Sequence, residues 1–228
     1  MSARKPFLLL GTPNSGTDWL AGCIVRVTGW RYFQKEFFNP LTNAQHSETL
    51  LSNFGSELVT GLENLATCHT QGIDAVVERT WPADTFDFNK EVWSFCKLPA
   101  LVAHFDCLVI TRSAASLFPP SRLRVWQWYD AIYHAFARVH GPHWQHEHFT
   151  PQARALHAHA VASDRLTRDA TAIGVPQLSY DHLINAESDE IHRVCCYIEK
   201  HWPIPALHLA AEILATRRQK KVASAPAQ

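Results

Sequence analysis

One short stretch of the chain combines the residue types and the spacing of an anion-binding loop. The apolar run Phe7 to Leu10 predicts a buried parallel strand, and helical spacing resumes at Trp19 after a loop bounded by Gly11 and Gly16. Loop amides and the N-terminus of a following helix point their positive ends at one spot. The stretch therefore predicts a cradle for a phosphate or a similar anion.

The loop departs from the nucleotide-triphosphate pattern that it otherwise approaches. Gly11 and Gly16 have the GxxxxG spacing of a P-loop, but Thr17 and Asp18 stand where Lys and Ser/Thr would follow. The missing Lys would reach the phosphates, and the missing hydroxyl would bind magnesium. The loop thus favours a phosphate that needs no metal, and we expect no metal site.

A second candidate for anion binding lies near the middle of the chain. The apolar run from about Cys107 to Thr111 predicts a strand that ends at Arg112. A guanidinium offers a planar fork to phosphate oxygens, and a serine at 116 or 121 would add a hydroxyl donor. A strand-end arginine is more often a surface ion-pair residue, so the pairing with the first loop supports the binding role.

Two carboxylates are candidates for a general base. Glu36 lies among aromatic residues, where burial would raise its pKa towards that of a base, although an exposed ion pair with Lys35 is the alternative. Glu78 lies at the polar end of a predicted strand, 73–82, and an ion-pair role for it is equally compatible with the sequence.

Four segments, in order along the chain, resemble the sulfotransferases that use 3′-phosphoadenosine 5′-phosphosulfate (PAPS). Pro13 to Trp19 is similar to the family's PKSGTTW loop, and the Glu-Phe-Phe stretch at Glu36 resembles carboxylate-base members of the bacterial trehalose-modifying type. Arg112 with a following serine resembles the 3′-phosphate motif. Tyr180 opens a segment similar to the family's Tyr-Glu-Asp-Leu strand.

The resemblance implies a role for each matching residue. The 5′-phosphosulfate would be bound by the loop, whose residues are Pro13, Asn14, Ser15, Gly16, Thr17, Asp18 and Trp19, with Trp19 stacked on adenine. The 3′-phosphate would be bound by Arg112 with Ser121. Tyr180 would lie close to the adenine. A basic segment would close over the 3′-phosphate at Arg217 and Arg218, although basic residues also suit a helix C-terminus.

Two departures from the family pattern bear on catalysis. The family places Lys or Arg where this chain has Asn14, so Lys35, Arg79 or an acceptor amine would have to neutralise the leaving phosphate. The family's Lys-Thr-His-Leu-Pro strand corresponds to residues 78–82, where the histidine base is absent. A carboxylate base is therefore favoured, with Glu36 as the first candidate and Glu78 as the second.

The resemblance implies transfer of a sulfuryl group from PAPS to the hydroxyl or amine of a small-molecule or carbohydrate acceptor, leaving adenosine 3′,5′-bisphosphate (PAP). Two alternatives stay open on sequence. One is a non-catalytic protein that binds PAP or another nucleotide, and the other is a degenerate P-loop kinase.

Composition narrows the class of partner. In 228 residues, Lys plus Arg equals Asp plus Glu at 21 each, so no overall field attracts nucleic acid or an anionic membrane. The six cysteines form no CxxC pair, and the N-terminal apolar run is too short for a signal peptide. We expect a cytoplasmic protein, and a homodimer is compatible with the sequence.

The predicted elements place these residues on an α/β fold, a P-loop-like parallel sheet flanked by helices. Long helices are predicted from Ser121 or Arg122 to about Val139 and from Pro151 to about Ile173. Further helices are predicted within 50–65, before His201, and over 206–216. The His-rich segment 140–148 is predicted to be a loop rather than a metal site. We expect one domain, residues 1–217, and a basic, disordered tail, residues 218–228.

Overall fold

The fold is described here from a computed structural model, for residues 5–33, 86–92, 95, 97–118, 123–140, 148–201 and 206–223. The predicted strand 73–82, the helices within 50–65, most of the segment 140–148, and Glu36, Glu78 and Ser121 lie outside these residues.

Strands and helices alternate along the described chain. The strands are β1 (Phe7–Gly11), β2 (Tyr32–Phe33), β3 (Phe88–Glu91), β4 (Asp106–Thr111) and β5 (Gln177–Ser179). The helices are α1 (Thr17–Thr28), α2 (Leu98–Leu101), α3 (Ala114–Leu117), α4 (Leu123–His140), α5 (Pro151–Ile173), α6 (Tyr180–Asn185), α7 (Ser188–His201) and α8 (Ala206–Ala223).

The described strands form one sheet in the order β2-β3-β1-β4-β5, and every pair is parallel. Leu9 of β1 lies opposite Lys90 of β3 and Leu108 of β4. From β1 the chain first builds the β2-β3 side and then crosses to β4. Ligands of such sheets bind beyond the carboxyl ends of the strands near this change of direction, which places the loop after β1 at the expected edge.

Alternation along the central strands explains how helices cover both faces. Leu8 and Leu10 of β1 pack in a cluster with α2, α4 and α5, whereas Phe7 and Leu9 pack in a cluster with α1, α7 and α8. Both faces are apolar and fully buried, which is the pattern of a central parallel strand. The predicted α/β class is confirmed.

Most of the predicted helix ends are confirmed because local signals determine them. Gly29 ends α1 and Gly174 ends α5, both in the left-handed conformation, and the Thr150 hydroxyl accepts a hydrogen bond from the Ala153 amide at the start of α5. None of the described helices is long and apolar enough to cross a membrane.

Three local predictions were incomplete. Strand β3 was not predicted, since Phe88-Asn89-Lys90-Glu91 shows no apolar run. Tyr180 begins helix α6 instead of extending the strand, because the Ser179 side chain caps that helix at the His182 amide. Helix α8 continues to Ala223, so the predicted domain boundary at 217 falls inside a helix.

Candidate functional site

The loop after β1 makes a tight turn before α1 begins. The Ser15 amide donates to the Thr12 carbonyl at 3.0 Å, and Asn14 and Gly16 both have positive φ, 63° and 101°. Asn tolerates the left-handed region, whereas Gly16 is also required for space, because a Cβ there would overlap the Tyr180 ring. The turn leaves the side chain of Asn14 exposed to solvent.

Two hydroxyl groups are buried inside this turn. Thr12 is 1% exposed and Ser15 is 0% exposed. The Thr12 hydroxyl interacts with the Tyr129 hydroxyl, whereas the Ser15 hydroxyl has no hydrogen-bond partner in the described part of the protein. The Ser15 oxygen occupies the space that a side chain at Gly11 would need. Buried hydroxyls are normally paired, so the Ser15 hydroxyl marks a place where a polar ligand would complete the loop.

Helix α1 begins directly after the turn, with Thr17 buried and Asp18 exposed in its first turn. The first amides of a helix have no acceptor within it and carry the positive end of its dipole. Together with the buried hydroxyl of Ser15, these amides form a candidate oxyanion site at the carboxyl edge of the sheet.

Arg112 follows β4 and reaches across to the same loop. Its guanidinium donates to the Ser116 hydroxyl at 2.9 Å, to the Ser116 carbonyl at 2.7 Å and to the Asn14 carbonyl at 3.2 Å. Of the two serines that the sequence left open, Ser116 is therefore the one seen to contact Arg112. The prediction for Ser121 stays untested, since that residue lies outside the described chain.

Tyr180 completes this cluster from the start of α6. The Arg112 guanidinium lies 4.3 Å from the centre of its ring, and the ring also covers Gly16. A guanidinium over an aromatic face is held by the ring's negative potential. The predicted loop, the strand-end arginine and the predicted adenine tyrosine are thus brought together at one edge of the sheet.

Trp19 is placed differently from what a stacking role requires. The residue is 8% exposed, its indole N–H donates to the Thr216 hydroxyl at 3.1 Å, and its ring meets Tyr180 edge-on. An adenine platform needs an open ring face, and so little exposure leaves almost none. Trp19 instead joins α1 to α8 and supports Tyr180.

The basic end of α8 starts one residue beyond this contact. The Arg217 Nε atom is buried and has no hydrogen-bond partner in the described part of the protein. Arg218 is helical, but its side chain is outside the description. The contact between Trp19 and Thr216 brings α8 against the helix that follows the loop.

Asp181 ties the start of α6 to the segment after β4. Its carboxylate accepts a hydrogen bond from the Ser113 amide at 2.8 Å. Partial burial acts to raise the pKa of Asp181, but hydrogen bonds from Ser116 and Ser113 and the charge of Arg112 together outweigh burial and lower it. Asp181 is therefore an ionised partner that helps to fix the Arg112 segment.

A buried aromatic cluster contacts both the loop after β1 and the segment at Arg112. Phe118, Tyr129 and His159 pack edge-on with ring centres 5.1 to 5.5 Å apart. The Tyr129 hydroxyl donates to the Pro13 carbonyl at 2.9 Å, and His159 forms a hydrogen bond with the backbone of Arg112. Burial lowers the pKa of His159, so the ring is held neutral within the cluster.

Lys90 is a cation near the loop that the sequence analysis did not identify. Its ammonium lies 2.7 Å from the Asp18 carboxylate, and its side chain is 12% exposed whereas that of Asp18 is 82% exposed. Phe88, two residues earlier on β3, packs on the α1 face of the sheet, so strand alternation directs Lys90 to that face as well.

The comparisons with known proteins give no family. No family model, no curated protein and no solved structure matches this chain. Because a parallel α/β sheet hosts many unrelated activities, the residues of the site, and not the fold, have to indicate the function.

The residues that sequence reasoning missed share one property. Lys90, Tyr129 and His159 are separated from the loop by dozens of residues and belong to no motif. The residues around them in the sequence predict that they are buried, but do not predict that they contact the loop. The one available signal was the missing cation at Asn14, which indicated that a positive charge should come from elsewhere.

Proposed function

We propose that this protein is a PAPS-dependent sulfotransferase on a P-loop-like sheet. The observation that carries the proposal is the contact of Arg112 with both Asn14 and Tyr180. Three of the four segments for which the sulfotransferase resemblance implies nucleotide contacts meet there at one edge of the sheet. Neighbouring parallel strands bring their carboxyl ends to one edge in any such sheet, so it is the direct contacts of Arg112 within that edge that support the proposal.

In this proposal the oxyanion site at the start of α1 holds the 5′-phosphosulfate. The amides of residues 14, 16 and 17 supply donors, and the hydroxyl of Ser15 gains the partner that it lacks in the described structure. Thr17 adds a hydroxyl at the first position of α1.

Arg112 binds the 3′-phosphate in this proposal. It already donates to neutral oxygens of Ser116 and Asn14, and a phosphate would replace the weaker of these acceptors with a charged one. The Asp181 network and the Tyr180 ring keep the guanidinium at this edge while its partners change.

The reaction would be an in-line transfer. The acceptor hydroxyl loses its proton to Glu36 or Glu78, its oxygen forms a bond to sulfur, and the bond from sulfur to the bridging phosphate oxygen breaks. PAP leaves with the electron pair of that bond. Negative charge grows on the leaving phosphate, where positively polarised amides stabilise it.

Calorimetry with PAP, with ATP and magnesium as the comparison, tests the choice of nucleotide. We expect PAP to bind and ATP with magnesium to bind far more weakly, because the loop lacks the P-loop Lys and its magnesium-binding hydroxyl. Preference for ATP with magnesium would favour a kinase instead.

Incubation with labelled PAPS and a cell lysate, followed by mass spectrometry for an added sulfonate, tests the transfer. Glu36→Gln should abolish that transfer while retaining PAP binding, with Glu78→Gln as the companion variant. If both variants transfer at the wild-type rate, neither carboxylate is the base.

A second candidate function is a nucleotide-binding protein without turnover. The observation that favours it is the uncharged, exposed side chain of Asn14, where the family has its cation. PAP binding without any labelled product would support this candidate.

A further inference from the structure

We propose that Asp18 and Lys90 form an exchangeable ion pair that supplies the cation missing at Asn14. In the free protein Asp18 holds Lys90 at the first turn of α1. When the 5′-phosphosulfate or PAP enters the loop, the Lys90 ammonium transfers from the Asp18 carboxylate to a phosphate oxygen. The inference rests on the proposed function and names its phosphate-binding cation.

The charges of Lys90 and Asp18 meet at the N-terminal end of α1. Lys90 reaches the N-terminal end of α1, where the helix dipole is positive and where a cation is unfavourable unless an anion is present. Asp18 supplies one anion there. A bound phosphate, held by the same helix amides, would supply a stronger one.

The two side chains of the pair are buried to very different extents. The Lys90 side chain is 12% exposed, so its charge needs a partner in the protein or in a ligand. The Asp18 side chain is 82% exposed, so its carboxylate can return to water at little cost. Exchange therefore costs little at Asp18 and keeps the Lys90 ammonium paired with an anion.

The exchange also accounts for two departures from the PKSGTTW pattern, at Asn14 and at Asp18. Asn14 removes a cation from the loop, and Asp18 adds an anion next to it. Taken separately, both changes would weaken phosphate binding. Taken with Lys90 at 2.7 Å from Asp18, they move the cation from the loop to the neighbouring strand and add the group that holds it there.

The buried hydroxyl of Ser15 gives independent support for a ligand at this place. It has no partner among the described residues and lies in the turn that leads into α1. A ligand that satisfies it would lie near the first turn of the helix, where the ammonium of Lys90 is held.

Exchange requires that loss of the Lys90 charge and loss of the Asp18 charge change the affinity for PAP in opposite directions. Lys90→Met should weaken PAP binding about tenfold, because one charge-assisted hydrogen bond is lost. Asp18→Asn should strengthen it about threefold, because a competing and repelling negative charge is removed. The double variant should bind PAP less than threefold more tightly than Lys90→Met, because only the repulsion by Asp18, and not its competition for Lys90, is then relieved. Lys200→Met and Asp189→Asn, both exposed on α7, are the matched controls and should leave binding unchanged.

Calorimetry on the full chain measures each affinity, and circular dichroism confirms folding. A pair that only fastens α1 to β3 would lose binding in both single variants, and that result would overturn the inference. If Lys90→Met does not fold, Lys90→Gln replaces it, since that variant also removes the charge but keeps a polar end on the partly buried side chain.

Titration with inorganic pyrophosphate separates this inference from the proposed function. Opposite signs with pyrophosphate in a protein that ignores PAP would support the exchangeable pair and overturn the sulfotransferase proposal. Same-sign effects on PAP binding would overturn the pair and leave the sulfotransferase proposal standing. Binding of neither probe would overturn both.

Discussion

The Tyr129 hydroxyl donates a 2.9 Å hydrogen bond to the Pro13 carbonyl, and so connects the middle of α4 to the loop after β1. Tyr129 is fully buried, and burial raises the pKa of its hydroxyl, so the group is a permanent donor. The same ring packs on His159, which bonds to the backbone of Arg112. One buried cluster thus fixes the relative position of the two candidate anion-binding segments.

Tyr129→Phe tests this connection. Removing the donor leaves the Pro13 carbonyl unpaired in the core, which should lower the free energy of unfolding by about 1–2 kcal/mol. It should also weaken PAP binding, because the loop loses its anchor. Urea unfolding and calorimetry measure the two effects.

Tyr197→Phe is the matched control for this prediction. Tyr197 donates to the Cys107 carbonyl at 2.8 Å, away from the loop. Its removal should lower stability by a similar amount and leave PAP binding unchanged. Equal losses of binding in both variants would show that the Tyr129 effect is one of general stability.

Gly16→Ala should be far more damaging than Gly174→Ala. Both glycines have positive φ, but only the Cβ at Gly16 would overlap a neighbouring side chain, the Tyr180 ring. Gly174→Ala should cost about 1 kcal/mol for its left-handed backbone. Gly16→Ala should cost about 3 kcal/mol, since strain and overpacking combine. Thermal and urea unfolding compare the two, and equal costs would contradict the close approach of Tyr180.

Arg112→Lys keeps the charge and removes the planar fork. We expect PAP binding to fall by about tenfold or more, because a lysine cannot reproduce the paired bonds of a guanidinium. Arg31→Lys is the control, since Arg31 is exposed at the amino end of β2 and makes a similar fork, at 2.9 Å to each oxygen of Asp87. Wild-type affinity in Arg112→Lys would show that the fork does not bind the ligand.

Stability should fall when the pH is lowered through the range where histidine titrates. Burial lowers the pKa of His159 in the folded protein below the ordinary value of about 6.5. The unfolded chain then takes up the proton first. The contribution of neutral His159 to the free energy of unfolding is therefore complete above the pKa of the unfolded chain, and it is lost as the pH falls towards the lower pKa of the folded protein.

Urea midpoints measured between pH 8 and pH 5 check this expectation, taking about 6.5 as the unfolded value. His159→Gln cannot titrate and keeps hydrogen-bonding capacity, so its midpoint should depend less steeply on pH. An unchanged slope in His159→Gln would assign the acid sensitivity to other groups.

Local signals in the sequence determined a large part of this protein. The apolar run at Phe7, the spacing from Trp19, and the stop signals at Gly29 and Gly174 fix elements whose ends the structure confirms. They suffice because a strand or a helix is encoded by neighbouring residues, whose burial and backbone preferences act over one or two turns.

The contacts of the candidate site were decided by the tertiary structure alone. Arg112 reaches Asn14 and Lys90 reaches Asp18 only because the sheet order places β4 and β3 on either side of β1. Hydrophobic periodicity reports which face of a strand is buried and is silent on which strand lies next to it. The chain therefore specified the pieces of an anion site locally, and long-range strand pairing decided which arginine and which lysine complete it.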